Sequence, residues 1–159
     1  MAISIRVARI SDAGDVAQLT AQLGYDVTEP TVARKLSRIL HRDDQRFLIA
    51  ECDGRSVGWI HALFSEYIEA DAFVLIEGLV VDRSHRRHGV GTLLMERAEH
   101  WASEQGCSVV RLWSSSNRAA AHRFYEQLGY TNVKTACSFA KSVDQSAQID
   151  FSKFVPRVD

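Results

Sequence analysis

Residues 77–92 read E-G-L-V-V-D-R-S-H-R-R-H-G-V-G-T. The apolar run Leu79-Val80-Val81 gives way to a polar turn, and Gly89 and Gly91 stand where an amphipathic repeat begins. A strand that turns into a helix brings the helix's first N–H groups to the turn. Those groups have no acceptor inside the helix, and the macrodipole favours an anion beside them. Gly89 and Gly91 carry no Cβ, so a ligand can approach the main chain closely. Arg86, Arg87 and His88 add positive charge at the same opening. The junction therefore predicts a site for a phosphorylated cofactor, beside the plainer reading that the glycines only serve a tight turn. It is not a Walker loop, because no G-K-[ST] follows, and it lacks the G-x-G-x-x-G of a dinucleotide site.

Toward the C-terminus, Val90, Leu93, Leu94, Ala98, Trp101 and Ala102 recur at helical spacing, which predicts a helix from Gly89 to Gly106. Val109 to Trp113 is a short apolar strand, with Trp113 expected in the core. Ser114 to Asn117 offers caps for a helix from about Arg118 to Leu128, closed by Gly129. Tyr130 to Val133 and Thr135 to Lys141 read as two final strands. Toward the N-terminus, Phe73 to Val81 is too apolar for an edge strand and follows a turn at Asp71-Ala72. Phe47 to Cys52 and Ser56 to about Glu66 form a hairpin around Asp53-Gly54. Thr28 caps a helix running to about His41, with Pro30 in its first turn and Val32, Leu36, Ile39 and Leu40 as its stripe. Ser11 is the expected N-cap of a helix ending near Leu23, and Ile3 to Ala8 alternates as a half-buried strand.

The order is β-α-α-β-β-β-α-β-α-β-β, an α/β chain of α+β type. The helix between Val81 and Val109 makes the strands on either side of it parallel, and the preceding hairpin makes the sheet mixed. The 159 residues suit one domain, 1–159, with a core over 3–142 and a C-terminal arm over 143–159. Phe151, Phe154 and Val155 suggest that the arm packs on something, such as a neighbouring subunit. A net charge of −1 gives no electrostatic case for nucleic acid or an anionic membrane. Three separated cysteines, Cys52, Cys107 and Cys137, form no C-x-x-C. Neither a disulfide framework nor a zinc site follows, and buried free thiols in a reducing cytoplasm are expected. The N-terminal segment has no signal-peptide h-region, and no apolar run reaches membrane-spanning length.

A second motif runs Asn117-Arg118-Ala119-Ala120-Ala121-His122-Arg123-Phe124-Tyr125-Glu126-Gln127-Leu128-Gly129-Tyr130. Read locally, Ala120, Phe124 and Leu128 pack and Gly129 caps. Its Asn and Ala ahead of Phe-Tyr, and the closing Gly-aromatic pair, resemble a signature of the GNAT superfamily of acyl-CoA-dependent N-acyltransferases. Arg86-Arg87-His88-Gly89-Val90-Gly91 fits that family's [QR]-x-x-G-x-[GA] pattern, and one helix plus one strand separates the two motifs. The resemblance covers about Phe47 to Lys141, and the two N-terminal helices fit it.

The resemblance implies a single-domain GNAT-like fold, a central mixed sheet with helices on both faces. It implies direct acetyl transfer from acetyl-CoA to a primary amine, no metal, and a homodimer. Backbone groups of Leu79, Val80 and Val81 would pair with the pantetheine arm. The Arg87–Thr92 segment, which includes His88, Gly89, Val90 and Gly91, would hold the diphosphate through its amides, with Arg86 alongside. Asn117 and Ala120 would touch the cofactor, and Tyr125 would protonate the departing thiolate. Gln127 stands where many relatives carry a basic residue, so a 3′-phosphate contact there is in doubt.

An alkyl amine with a pKa of ~10.4 is mostly protonated at neutral pH, so a base is useful. Glu77 is the candidate, because simple alternation puts it on one face with Leu79 and Val81. The plainer reading is a solvated or arginine-paired carboxylate. The Val81 N–H is a candidate oxyanion donor. His85 and His88 read as solvated or near phosphate, and His61 as packed unless it lines an acceptor cleft. Glu66, Glu69 and Asp71 read as a solvated loop that would favour a cationic acceptor if it faced that cleft, which Tyr25 and Asp26 could also reach. The acceptor is expected to be a small-molecule amine. An aminoglycoside, a protein lysine or N-terminal amine, and a non-catalytic CoA-binding regulator are the alternatives; Tyr125 and Glu77 together count against the last.

Overall fold

The computed structural model describes residues 2–144, 146 and 149–150. The chain divides into two compact units, Met1–Trp113 and Ser114–Asp159. In the first, β1 (Ile3–Val7), α1 (Ala13–Ala21), α2 (Glu29–Ile39), β2 (Gln45–Cys52), β3 (Arg55–Tyr67), β4 (Ala70–Val81), α3 (Val90–Glu104) and β5 (Val110–Leu112) follow in order. The sheet runs β1-β2-β3-β4-β5, antiparallel except for the parallel β4–β5 pair. That mixed sheet matches the sequence reading; β2, β3 and β4 run longer than expected, and β1 and β5 are shorter. The β3–β4 turn falls at Ile68-Glu69 instead of Asp71-Ala72, because Ala70 still pairs with Tyr67.

Alternate residues of β3 divide the core. Trp59 faces the cluster of Phe47 and Ile49 with Val16 and Ala17 of α1 and Val32 and Leu36 of α2. On the opposite face a Cβ at Gly58 would lie 2.8 Å from the Val80 carbonyl and 3.2–3.3 Å from Leu94 and Val90 of α3. Only a glycine lets α3 seat this deeply. Helices therefore cover both faces of the sheet. Leu36, Ile49, Ile60, Leu94 and Met95 are fully buried, each contributing about 1.5–3 kcal/mol of transfer free energy.

In this unit one helix start matches expectation and one differs. Thr28 caps α2 through the Thr31 N–H, as its sequence suggests. Ser11 does not cap α1; a 3-10 turn, Ile10–Asp12, precedes it, and the Asp12 carboxylate accepts the Arg9 N–H at 2.6 Å. Asp12 also takes two hydrogen bonds from Arg6 at 2.8 and 2.9 Å, while Arg6 Nε reaches Glu51 at 2.9 Å. This charge-assisted fork pins β1 to the start of α1. It holds the Asp12 carboxyl below its ordinary range.

The second unit contains α4 (Ala119–Gln127). Ser114 to Asn117 does not cap it by side chain. Arg118 is the N-cap, and the Ser115 carbonyl accepts from the Arg118 N–H and from His122 Nε2, both at 3.0 Å. The two expected strands at 130–133 and 135–141 are not formed. Residues 131–140 are exposed throughout. A strand needs a partner edge for its main-chain groups, and β-prone residues alone do not supply one. Phe151, Phe154 and Val155, the expected contact residues of the arm, lie outside the described residues.

Candidate active site

The end of β4 departs from regular alternation. Ala62 pairs with Ile76 and His61 with Gly78, so Glu77 is an extra residue on β4, a bulge. Glu77 is exposed, whereas Leu79 and Val81 are half-buried. The single face proposed for Glu77, Leu79 and Val81 is thus corrected: a bulge breaks the two-residue period and re-aims the side chain. On its other side β4 pairs with β5 for only three residues, from Val74↔Val110 to Ile76↔Leu112. From Glu77 to Val81 this edge of β4 has no strand partner among the described residues. The opening between the two parallel strands begins at the bulge.

The chain after Val81 is held by side chains. Asp82 Oδ1 accepts from the Ser84 N–H at 2.9 Å, from the Ser84 hydroxyl and from His85 Nδ1 at 3.1 Å, and Oδ2 accepts from Gln22 Nε2 at 2.9 Å. These donors, Ser84 foremost, hold the Asp82 carboxyl far below the usual carboxylate range. They fix a 3-10 turn, Arg83–His85. Arg86 then donates from Nε to the Val81 carbonyl at 3.2 Å. His85 is therefore engaged with Asp82 and Ser84, while His88 is exposed.

Arg87 has φ 62° and Gly89 φ 80°. A non-glycine residue in the left-handed region costs about 1–2 kcal/mol. Such residues cluster at binding sites, where they turn successive N–H groups into a concave anion nest. The first intrahelical bond of α3 runs from Leu93 N–H to the Gly89 carbonyl at 3.0 Å. The amides of Val90, Gly91 and Thr92 thus have no acceptor within the helix. A Cβ built on Gly89 meets nothing within 4 Å, so the main chain there faces open space. Open amides, a left-handed arginine and a bare glycine fit a diphosphate.

His61 lies on β3 with Nε2 2.9 Å from Gln45 Oε1 and its ring 5.4 Å from that of Phe47. Burial pushes its pKa down to about 4, so it is a neutral imidazole at pH 7. Glu66, Glu69 and Asp71 are exposed near the β3–β4 turn. At about 3.3 Å per residue, β4 carries Asp71 roughly 20 Å from Glu77. The acidic group and the bulge are not brought together. Trp113 is 54% exposed instead of buried; its indole lies 5.7 Å from the guanidinium of Arg111, which also stacks at 4.6 Å on Phe73. Tyr25 is half-buried and Asp26 exposed in the α1–α2 loop.

Within the second unit, Asn117 and Ala120 are exposed, Asn117 in the turn before α4 and Ala120 in its first turn. Tyr125 is half-buried against Phe124 and Tyr130, with ring centroids 5.3 and 6.1 Å away. Burial raises its pKa above the usual phenol value, so it carries its proton at neutral pH.

Two features escaped the sequence reading. The bulge at Glu77 has no compositional signal beyond the following glycine. The Gln22–Asp82 contact joins residues sixty apart, and only the fold brings them together.

The profile of the Acetyltransferase (GNAT) family matches residues 16–130, a span holding both motifs and the junction after β4. The chain belongs to the GNAT family. It is an N-acetyltransferase, which takes an acetyl group from acetyl-CoA and gives it to an amine. An uncharacterized N-acetyltransferase of Methanocaldococcus jannaschii is 30% identical over 107 residues, 66% of this chain and 47% of that relative; the chain thus spans about half of that protein's length. An aminoglycoside N(6′)-acetyltransferase type 1 of Acinetobacter haemolyticus is 25% identical over 146 residues, 89% of this chain and 100% of the relative. A crystal structure of an aminoglycoside antibiotic 6′-N-acetyltransferase from the same organism superposes with a TM-score of 0.78 at 24% identity, covering 89% of this chain and 99% of that one. An aminoglycoside N-acetyltransferase solved in complex with CoA gives 0.80 at 22% identity, covering 88% and 95%. These two likenesses establish the GNAT fold.

Among the described residues no group of three or more His, Cys, Asp or Glu side chains could hold a metal ion, and no helix is long and apolar enough to cross a membrane.

Proposed function

We propose that this acetyltransferase, acting as one domain over its whole length, acetylates a primary amine of a small cationic molecule, with an aminoglycoside-like polyamine as the leading class. The observation that carries the site assignment is the junction itself. The β4 edge from Glu77 to Val81 has no strand partner among the described residues, and the chain beyond it leads to the first turn of α3, where the amides of Val90, Gly91 and Thr92 have no helical acceptor. Support for the acceptor class comes from the full-length match to the Acinetobacter aminoglycoside acetyltransferase and from the carboxylates of Glu77 and Asp26, exposed in the same unit.

The roles follow from the residues. When bound, acetyl-CoA supplies an activated acyl thioester. Main-chain groups of Leu79, Val80 and Val81 extend the sheet to the pantetheine amides, and the nest at Arg87–Gly89 with the first turn of α3 neutralises the diphosphate. Arg86 supports that turn through the Val81 carbonyl. Asn117 and Ala120 are assigned to the cofactor on the second motif. Glu77, solvent-accessible on its bulge, takes the proton from the ammonium acceptor, directly or through water. The Val81 N–H is the proposed donor to the thioester oxygen. Tyr125, held protonated by its burial, gives its proton to the leaving sulfur.

A thiol-release screen over aminoglycosides, polyamines, amino acids and peptides tests the acceptor class. Turnover confined to peptides would replace it with protein N-terminal acetylation, a reading favoured by 26% identity over 131 residues to N-alpha-acetyltransferase 30 of Xenopus laevis. Tyr125→Phe should lower turnover about a hundredfold with little change in CoA affinity; an unchanged rate removes Tyr125 from the acid role.

The protein further acts as a homodimer in the cytoplasm. Val133, Phe139 and Val143 are 81–95% exposed in a segment with no sheet partner among the described residues, and the three cysteines are free thiols suited to a reducing compartment, Cys52 and Cys107 buried as expected but Cys137 exposed. A monomeric mass by light scattering would refute the dimer.

A further inference from the structure

Gln22 is the C-cap of α1, and its side chain uses both ends of its amide on the turn after β4. Nε2 donates to Asp82 Oδ2 at 2.9 Å, and Oε1 accepts from the Arg83 N–H at 3.0 Å. The Gln22 carbonyl also accepts from Arg83 Nη2 at 3.4 Å. Nothing in the family signature calls for this clasp. It grips the one carboxylate that organises the 3-10 turn before the nest, because the other oxygen of Asp82 holds Ser84 and His85. The turn is only three residues long, and Arg86 and the left-handed Arg87 follow it directly. A shift of Asp82 or of the Arg83 amide therefore moves the main chain that delivers the Arg87–Thr92 amides.

We propose, on the footing of the diphosphate site assigned above, that Gln22 is a positioning residue for cofactor binding. It sets the aim of the anion nest from the end of α1 and touches neither substrate itself. The same link ties the nest to the α1–α2 loop, where Tyr25 and Asp26 lie three and four residues beyond Gln22.

The test compares two acetyl donors, acetyl-CoA and S-acetylpantetheine, which has the thioester arm without the diphosphate. Wild-type protein should prefer acetyl-CoA by a wide margin. Gln22→Met keeps the length of the side chain and removes both hydrogen bonds. The CoA dissociation constant, measured by titration calorimetry, should rise about tenfold, the scale of a lost hydrogen bond to a charged partner. The kcat/KM for acetyl-CoA should fall by the same factor, while that for S-acetylpantetheine stays at the wild-type value. Should Gln22→Met fold poorly, Gln22→Glu keeps the acceptor for Arg83, sets a carboxylate against Asp82, and should give the same selective loss.

Equal losses with both donors, or none with either, would overturn the positioning role, since a general loosening of the fold does not distinguish donors by their diphosphate. A wild-type protein with no preference for acetyl-CoA would instead overturn the diphosphate site.

Discussion

Replacing Gly89 by alanine separates backbone strain from ligand exclusion. Gly89 has φ 80°, and a Cβ placed there has no protein atom within 4 Å. Gly89→Ala therefore clashes with nothing in the protein, and its stability cost is the left-handed backbone alone, about 1–2 kcal/mol. For a chain of this length that is roughly 2–8 °C in Tm. Gly106 provides the control. It lies just past the other end of α3 with φ 75°, and its Cβ also meets nothing within 4 Å. Gly106→Ala should lose the same stability for the same reason. The two differ in what occupies the open space. A methyl group at Gly89 stands where a diphosphate would approach the amides, and one at Gly106 faces solvent. CoA affinity by titration calorimetry should fall at least about tenfold, or 1.4 kcal/mol, in Gly89→Ala and stay unchanged in Gly106→Ala. Equal affinities in two variants of matched Tm would mean that the bare main chain at Gly89 is only a turn, and the cofactor assignment built on it would go.

Three further outcomes follow from named contacts. Asp12→Ala leaves the half-buried Arg6 with Glu51 alone and should cost about 3 kcal/mol in urea unfolding. The intact pair contributes fully at neutral pH, because Asp12 titrates below its ordinary 3.8, and its contribution fades as pH falls through that lowered value. His61, with a folded pKa of about 4 against 6.5, binds its proton more readily in the unfolded chain. Stability should therefore drop by about 3 kcal/mol as pH falls from 6.5 to 4, and His61→Gln should flatten that part of the curve. Parallel curves would show that His61 is not kept neutral by burial. Glu77→Gln should lower kcat about a hundredfold with CoA affinity retained and move the acidic limb of the pH–rate profile; a superimposable profile would pass the base role to another group.

Much of this protein could be read from residue order. Alternation at Ile3 to Ala8, the hairpin signal at Asp53-Gly54, apolar runs on either side of α3, and helical spacing with its caps mark the five strands and four α-helices seen among the described residues, and the R-R-H-G-V-G turn lies where two left-handed residues stand. Departures occur where local preference needs a partner that sequence does not name. Thr135 to Lys141 has the composition of a strand, yet it is exposed and has no strand partner among the described residues. Alternation along β4 misses the break at Glu77, because a bulge is a property of two strands and only the partner register reveals it. Ser11 has the composition of a cap but lies inside the 3-10 turn Ile10–Asp12, and the Asp12 carboxylate that follows is taken by Arg6 and the Arg9 N–H and not by the amides of α1. Trp113 looked like core because it is large and apolar; beside Arg111 it stays half in water.

The open side of β4 beyond Ile76 also bears on the protein without its coenzyme. A row of peptide groups on an interior strand without a strand partner is adhesive toward any extended chain, including another copy of itself. Coenzyme A, laid along that row, would shield it and raise stability in proportion to the logarithm of its concentration. The cellular pool of the coenzyme would then act as a chaperone for its own enzyme.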